Sequence, residues 1–169
     1  MKINKIKKPI IKRSRLVIAE DENGAQWVGD ACAFYSLDGL PHMHDWQICR
    51  VLGITNEEAA RLEEIKHYDE AAWLARYKDV IVPVETVKDM DDEITINGNT
   101  YRVVTDTNGR TVFFNPEYIA PVAKADTFTL APDDNLLAFE GIFLVAVICP
   151  VKPGPETANR IFELYSAMK

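Results

Sequence analysis

The run Leu136 to Val151, Leu-Leu-Ala-Phe-Glu-Gly-Ile-Phe-Leu-Val-Ala-Val-Ile-Cys-Pro-Val, is the most apolar stretch of the 169-residue chain and limits what it can fold into. From Ile142 to Cys149 no residue is charged and β-branched side chains are frequent, the signature of a strand buried on both faces. The run is too short to cross a bilayer and is interrupted by Glu140, Gly141 and Pro150, so no membrane contact is expected. Glu140 is expected at a strand end or at a bulge made by Gly141, facing solvent.

The length suits a single domain over residues 1–169, and a composition of 47% hydrophobic and 27% charged residues is that of an ordinary globular chain. Cys32, Cys49 and Cys149 are odd in number and lie among apolar neighbours, which reads as buried free thiols in a reducing cytoplasm. No apolar segment of signal-peptide length follows the basic N-terminus, so a cytoplasmic location is expected.

The net charge of −7 is unevenly spread. Residues 1–15 hold seven of the 19 basic residues and no acid, which leaves 12 basic against 26 acidic residues in the rest. An acidic body with a basic leading segment can touch a polyanion at one edge. Lys5, Lys7, Lys8, Lys12, Arg13 and Arg15 are therefore the candidate contacts to duplex DNA, as phosphate binders rather than base readers. A frayed terminus with solvated lysines is the competing reading.

Along the chain, Arg15 to Glu20 and Gln26 to Val28 are expected strands joined through Asn23-Gly24, and Glu93 to Ile96 pairs with Thr100 to Thr105 through Asn97-Gly98. Asn108-Gly109 turns the chain again into Thr111 to Phe114. Asp38-Gly39-Leu40-Pro41 reads as a turn that opens a helix with Pro41 near its first position, with Met43, Trp46, Cys49 or Val51, and Leu52 on its apolar face and Gly53 as its cap. Thr55 and Glu58 have the spacing of a capping box and predict a long helix over 56–77. Asp79 to Val87 reads as a strand, Asn115-Pro116 as the start of a short helix, Phe128 to Leu130 as a brief strand and Glu156 to Met168 as a last helix. The resulting expectation is an α+β fold, a mainly antiparallel sheet with about three helices packed on it.

The stretch Leu74 to Val84 aligns without gaps to Leu137 to Val147, and each follows an Asn-Gly hairpin. The chain therefore reads as two related hairpin–helix–strand units, in pseudo-repeat halves 1–90 and 91–169. Such a pair resembles a domain of the DNA sliding clamps. Gly109 to Val122, ending Phe-Asn-Pro-Glu-Tyr-Ile-Ala-Pro-Val, is similar to the strand-into-helix entry of those domains, and the apolar strand closing on Cys149-Pro150-Val151 is similar to their last strand. The chain also resembles small accessory proteins of prophages and mobile elements. The clamp resemblance implies a ring or ring fragment that contacts DNA through a basic surface and receives partners as short peptides. The chain departs from this pattern in being too short to close a ring without oligomerising, and in the acids Glu57, Glu58, Glu63, Glu64, Asp69 and Glu70 of its expected long helix. No functional residue transfers from the family.

No motif points to catalysis. His42, His44 and Asp45 are spaced so that a helix would point the two imidazoles to different sides, and they read as surface residues rather than metal ligands. Asp89, Asp91, Asp92 and Glu93 lack a calcium-loop pattern, Ser14 and Ser36 lack a triad, and the glycines form no phosphate loop. A helix-turn-helix around Gly53 would present Asn56, Glu57 and Glu58 where a reader needs cations, which favours a plain helical hairpin. Trp27, Trp46 and Trp73 lack interleaved cations and are expected in the core. The expectation is a non-enzymatic, DNA-clamp-like accessory protein with no cofactor, with protein partners or self-association. The alternative is an acidic protein–protein interaction module that does not touch DNA.

Overall fold

The N-terminal isoleucines lie inside the molecule. In the computed structural model, which describes residues 1–69, 71–78 and 87–169, a 3-10 turn over Ile3–Lys5 leads into helix α1, Lys7–Arg13. Ile6 and Ile10 are fully buried. Pro9 sits in the first turn of α1, where its missing N–H costs nothing, so it is compatible with the helix.

Strands β1 (Arg15–Glu20), β2 (Gln26–Gly29) and β3 (Ala33–Ser36) form an antiparallel meander. Helix α2 (Asp45–Leu52) follows, capped by Gly53, and then the single turn α3 (Asn56–Ala59). The capping box at Thr55 and Glu58 is present, but the expected helix over 56–77 is not. It is replaced by α3, by strand β4 (Glu64–Tyr68) lying parallel beside β1, and by helix α4 (Ala72–Lys78). Pairing of Glu64–Tyr68 with Arg15–Ala19 overrides the local helix signal. The acids of that segment are thereby dispersed rather than gathered on one helix face. A helix-turn-helix is also ruled out, since α3 has only four residues.

Strands β5 (Val87–Asp89), β6 (Glu93–Ile96), β7 (Asn99–Asp106) and β8 (Thr111–Phe114) build a second sheet around β7, with the expected Asn-Gly hairpins. Most of the strand expected over 79–87 lies outside the described residues. After α5 (Pro116–Ile119), strands β9 (Thr127–Leu130), β10 (Leu136–Glu140) and β11 (Phe143–Ile148) join the first sheet, whose order is β4-β1-β2-β3-β11-β10-β9. Helix α6 (Pro155–Met168) ends the chain. The α+β class with mainly antiparallel pairing holds, but among the described residues there are six α-helices rather than about three.

The apolar run is a hairpin rather than one strand. Leu136 to Phe139 is buried on both faces, as a central strand should be, and the chain then reverses at Gly141 before β11. The aligned stretches also differ in structure, because Leu74 to Lys78 is helical where Leu137 to Glu140 is extended. Strand β4 returns to the sheet of β1, whereas β9 leaves the sheet of β7 and β8 for the larger one.

Alternate side chains along the buried strands join different clusters, which sorts the core into three layers. Leu16, Ile18, Val28, Tyr35, Leu136 and Ile148 face α1, α2 and α5, together with Val104, Val112 and Phe114 of the second sheet. Val17, Trp27, Phe34, Leu137 and Val147 face Leu74 and Tyr77 of α4. Tyr101, Val103 and Phe113 face Ile161 of α6. Trp27 is buried and the Trp73 ring packs tilted against Phe34, 4.6 Å between centroids, but Trp46 is 63% exposed, contrary to expectation, because α2 turns Ile48, Cys49 and Leu52 inward instead.

Gly29 is a point of close backbone approach in the larger sheet. A Cβ there would lie 1.7 Å from the Ala33 carbonyl oxygen. Gly29→Ala is expected to destabilise the fold by at least ~2 kcal/mol, since backbone cannot yield as a flexible side chain does. Urea unfolding of the two proteins measures this.

Candidate interaction surface at a rigid hairpin tip

The six candidate DNA contacts fall along the 3-10 turn, α1 and the start of β1, and most are held by carboxylates. Lys7 Nζ lies 2.8 Å from Glu58 and donates to the Gly53 carbonyl at 2.9 Å. Lys8 and Lys12 share Glu117 at 2.8 and 3.3 Å, Arg13 lies 3.4 Å from Asp30, and Arg15 pairs with Glu64. Lys5 has no ion pair among the described residues. With Lys12, Arg102 and Lys152 it lines a cleft of about 920 Å³ between α5 and the second sheet. The structure thus brings Lys8 and Lys12 together, and directs Lys7 and Arg15 elsewhere.

Asp30, 1% exposed, organises the β2–β3 turn. Its Oδ1 accepts the N–H groups of Cys32 and Ala33, and its Oδ2 accepts the Tyr118 hydroxyl at 2.7 Å. The Tyr118 carbonyl accepts the Tyr35 hydroxyl at 2.7 Å. Burial, reinforced by Asp30, pushes the Tyr118 phenol far above its ordinary range. This closed set of bonds ties α1 and α5 to the sheet, and its groups are consumed by one another. Cys149, whose N–H donates to the Cys32 carbonyl at 2.7 Å, has its thiol pushed up to about 11 by burial and is a poor nucleophile at neutral pH.

His42 lies 2.7 Å from Glu20, and His67, on β4 rather than a helix, lies 3.2 Å from Asp45. Among the described residues, no three His, Cys, Asp or Glu side chains converge as a metal site would require, and no helix is long and apolar enough to cross a membrane.

The distinctive surface is the tip of the β10–β11 hairpin. Glu140 and Phe143 are the closing pair, so Gly141 and Ile142 form a two-residue turn. Gly141 has φ +60°, the backbone that the first turn position of such hairpins demands. Polar residues normally fill the remaining positions, yet here Ile142 is 78% and Phe143 is 64% exposed. The turn is braced from behind, because the Gly141 N–H donates to Asp126 Oδ2 at 2.7 Å and the Met1 amine meets Glu140 at 2.7 Å. Two grooves of about 510 and 470 Å³ flank the tip, and Leu40, Phe143 and Leu144 line both. The Glu140-Gly141 interruption marked this position in the sequence as a strand end, but not as an apolar knob.

Tyr118→Phe is expected to cost about 1–3 kcal/mol by urea unfolding, because the buried Asp30 carboxylate loses a donor. Lys8 chiefly, joined by Lys12 and opposed by burial, holds the Glu117 carboxyl below its ordinary range. A carboxyl lowered by folding stabilises above its unfolded value, about pH 4.3, and that contribution is lost as pH falls through the lowered folded value. Glu117→Gln is therefore expected to destabilise at pH 7 and to lose most of that effect at pH 3, measured by urea unfolding at both. No family model, curated protein or solved structure matches this chain.

Proposed function

We propose that this protein is a non-enzymatic interaction module that docks a protein partner through the Ile142–Phe143 tip. The observation that carries this reading is the tip itself, two adjacent large apolar side chains held out on a braced turn. Covering them on a partner is worth roughly 1.5–3 kcal/mol each, which is hot-spot magnitude. The acidic-helix version of this reading is replaced, since the acids of residues 57–69 are spread over α3, β4 and the connections between them.

Ile142→Ser combined with Phe143→Ser is expected to leave the melting temperature nearly unchanged, because neither side chain is buried. Immobilised wild-type protein should retain a partner from an extract of its source cells that the double variant does not. Sedimentation equilibrium of both proteins tests whether that partner is a second copy. Equal retention and equal self-association would overturn the proposal.

A second reading, a DNA-clamp-like accessory protein of replication and of prophage or mobile-element kind, is supported by α1. Lys8 and Lys12 keep side-chain exposures of 72% and 65% despite sharing Glu117. Fluorescence anisotropy with duplex DNA is the test. Binding at low salt that weakens with a slope near −0.9 per phosphate contact and is lost in Lys8→Gln/Lys12→Gln supports it. No binding at low salt ends it.

A further inference from the structure

On the reading that the hairpin tip docks a partner, we infer that the partner is a protein segment in which an apolar or aromatic side chain is flanked by lysine or arginine. The chemistry of the surround carries this. Both grooves beside the tip have apolar walls, from Trp27 and Leu40 on one side and from Leu37 and Val145 on the other. Their charged lining consists of Asp38, of Glu140, and of Asp21, which is buried and accepts the Asn23 and Ala25 N–H groups and the Trp27 indole N–H, and neither groove is lined by a lysine or arginine. The one cation present, the Met1 amine, is engaged by Glu140. Asp38 and Asp126 have no cationic partner among the described residues, and Asp126 sits against the turn. An apolar knob with the exposed Asp38 and Asp126 carboxylates beside it selects for a complementary segment: apolar side chains fill the grooves while cations meet these acids.

The same chemistry disfavours two other occupants. A second copy of this chain pairing tip to tip would set these acids against their own copies. An anionic lipid surface would be repelled by them as the tip approached.

The test is panning of a random 12-residue peptide library displayed on phage against the folded wild-type chain, with counter-selection on the Ile142→Ser/Phe143→Ser variant. The expected result is a set of peptides that bind wild type at least tenfold more tightly than the variant and share an apolar or aromatic residue flanked by lysine or arginine. Their affinity should fall at least fivefold between 50 and 300 mM salt, and at least threefold in Asp38→Asn/Asp126→Asn. It should be unchanged in Glu57→Gln, on α3, which lines neither groove. Tip-dependent peptides without basic residues, or with affinities indifferent to salt and to Asp38→Asn/Asp126→Asn, would overturn this inference and leave the docking reading standing. Failure to recover any tip-dependent peptide would overturn both.

Discussion

The larger sheet depends on one short seam. Strands β1 to β4 come from the first 68 residues and β9 to β11 from residues 127–148, and among the described residues the two groups are joined in the sheet where β11 pairs with β3. The seam aligns Tyr35 with Ala146, Phe34 with Val147 and Ala33 with Ile148. All six residues are buried, so the pairing is shielded from water and each face of it continues a core layer. Without it the sheet separates into four strands and three. Because its partners are more than a hundred residues apart, the seam carries a large loop-closure cost and places assembly of this sheet among slow, non-local folding events.

The charge distribution has the same long-range character. In sequence, the basic start and the acidic remainder look like separate regions. In the fold they interleave: lysines of α1 reach Glu58 and Glu117, Arg13 reaches Asp30 and Arg15 reaches Glu64. Much of the asymmetry is therefore internal electrostatics that seats α1 on α3, α5 and the sheet. Exposed pairs of this kind contribute little individually, but they orient a helix whose hold on the core comes from Ile6 and Ile10.

Local chemistry was legible wherever it acts alone. The Asn-Gly hairpins, the Thr55–Glu58 capping box, the Gly53 cap and the last helix follow from backbone preference and short-range hydrogen bonds, and they appear where the residues place them. What was not legible was decided by distant partners. Glu64–Tyr68 has helical flanks, yet it is extended because β1 offers it an open edge. The Leu136–Val151 run reads as one strand because both arms of the hairpin are apolar, and only the Gly141-Ile142 turn separates them. The Ile142–Phe143 knob shared this fate. Nothing in a run of hydrophobic residues distinguishes the two that face solvent, and that follows only from the register pairing Glu140 with Phe143.

The bracing of that turn has a thermodynamic consequence. The Gly141 amide is tied to Asp126 and the neighbouring Glu140 to the Met1 amine, so the loop backbone is ordered when the chain folds rather than when a ligand arrives. Association at such a surface resembles rigid-body docking. Its heat-capacity change should reflect buried apolar area with little coupled folding, and differences in affinity among ligands should appear mainly in how long each stays bound.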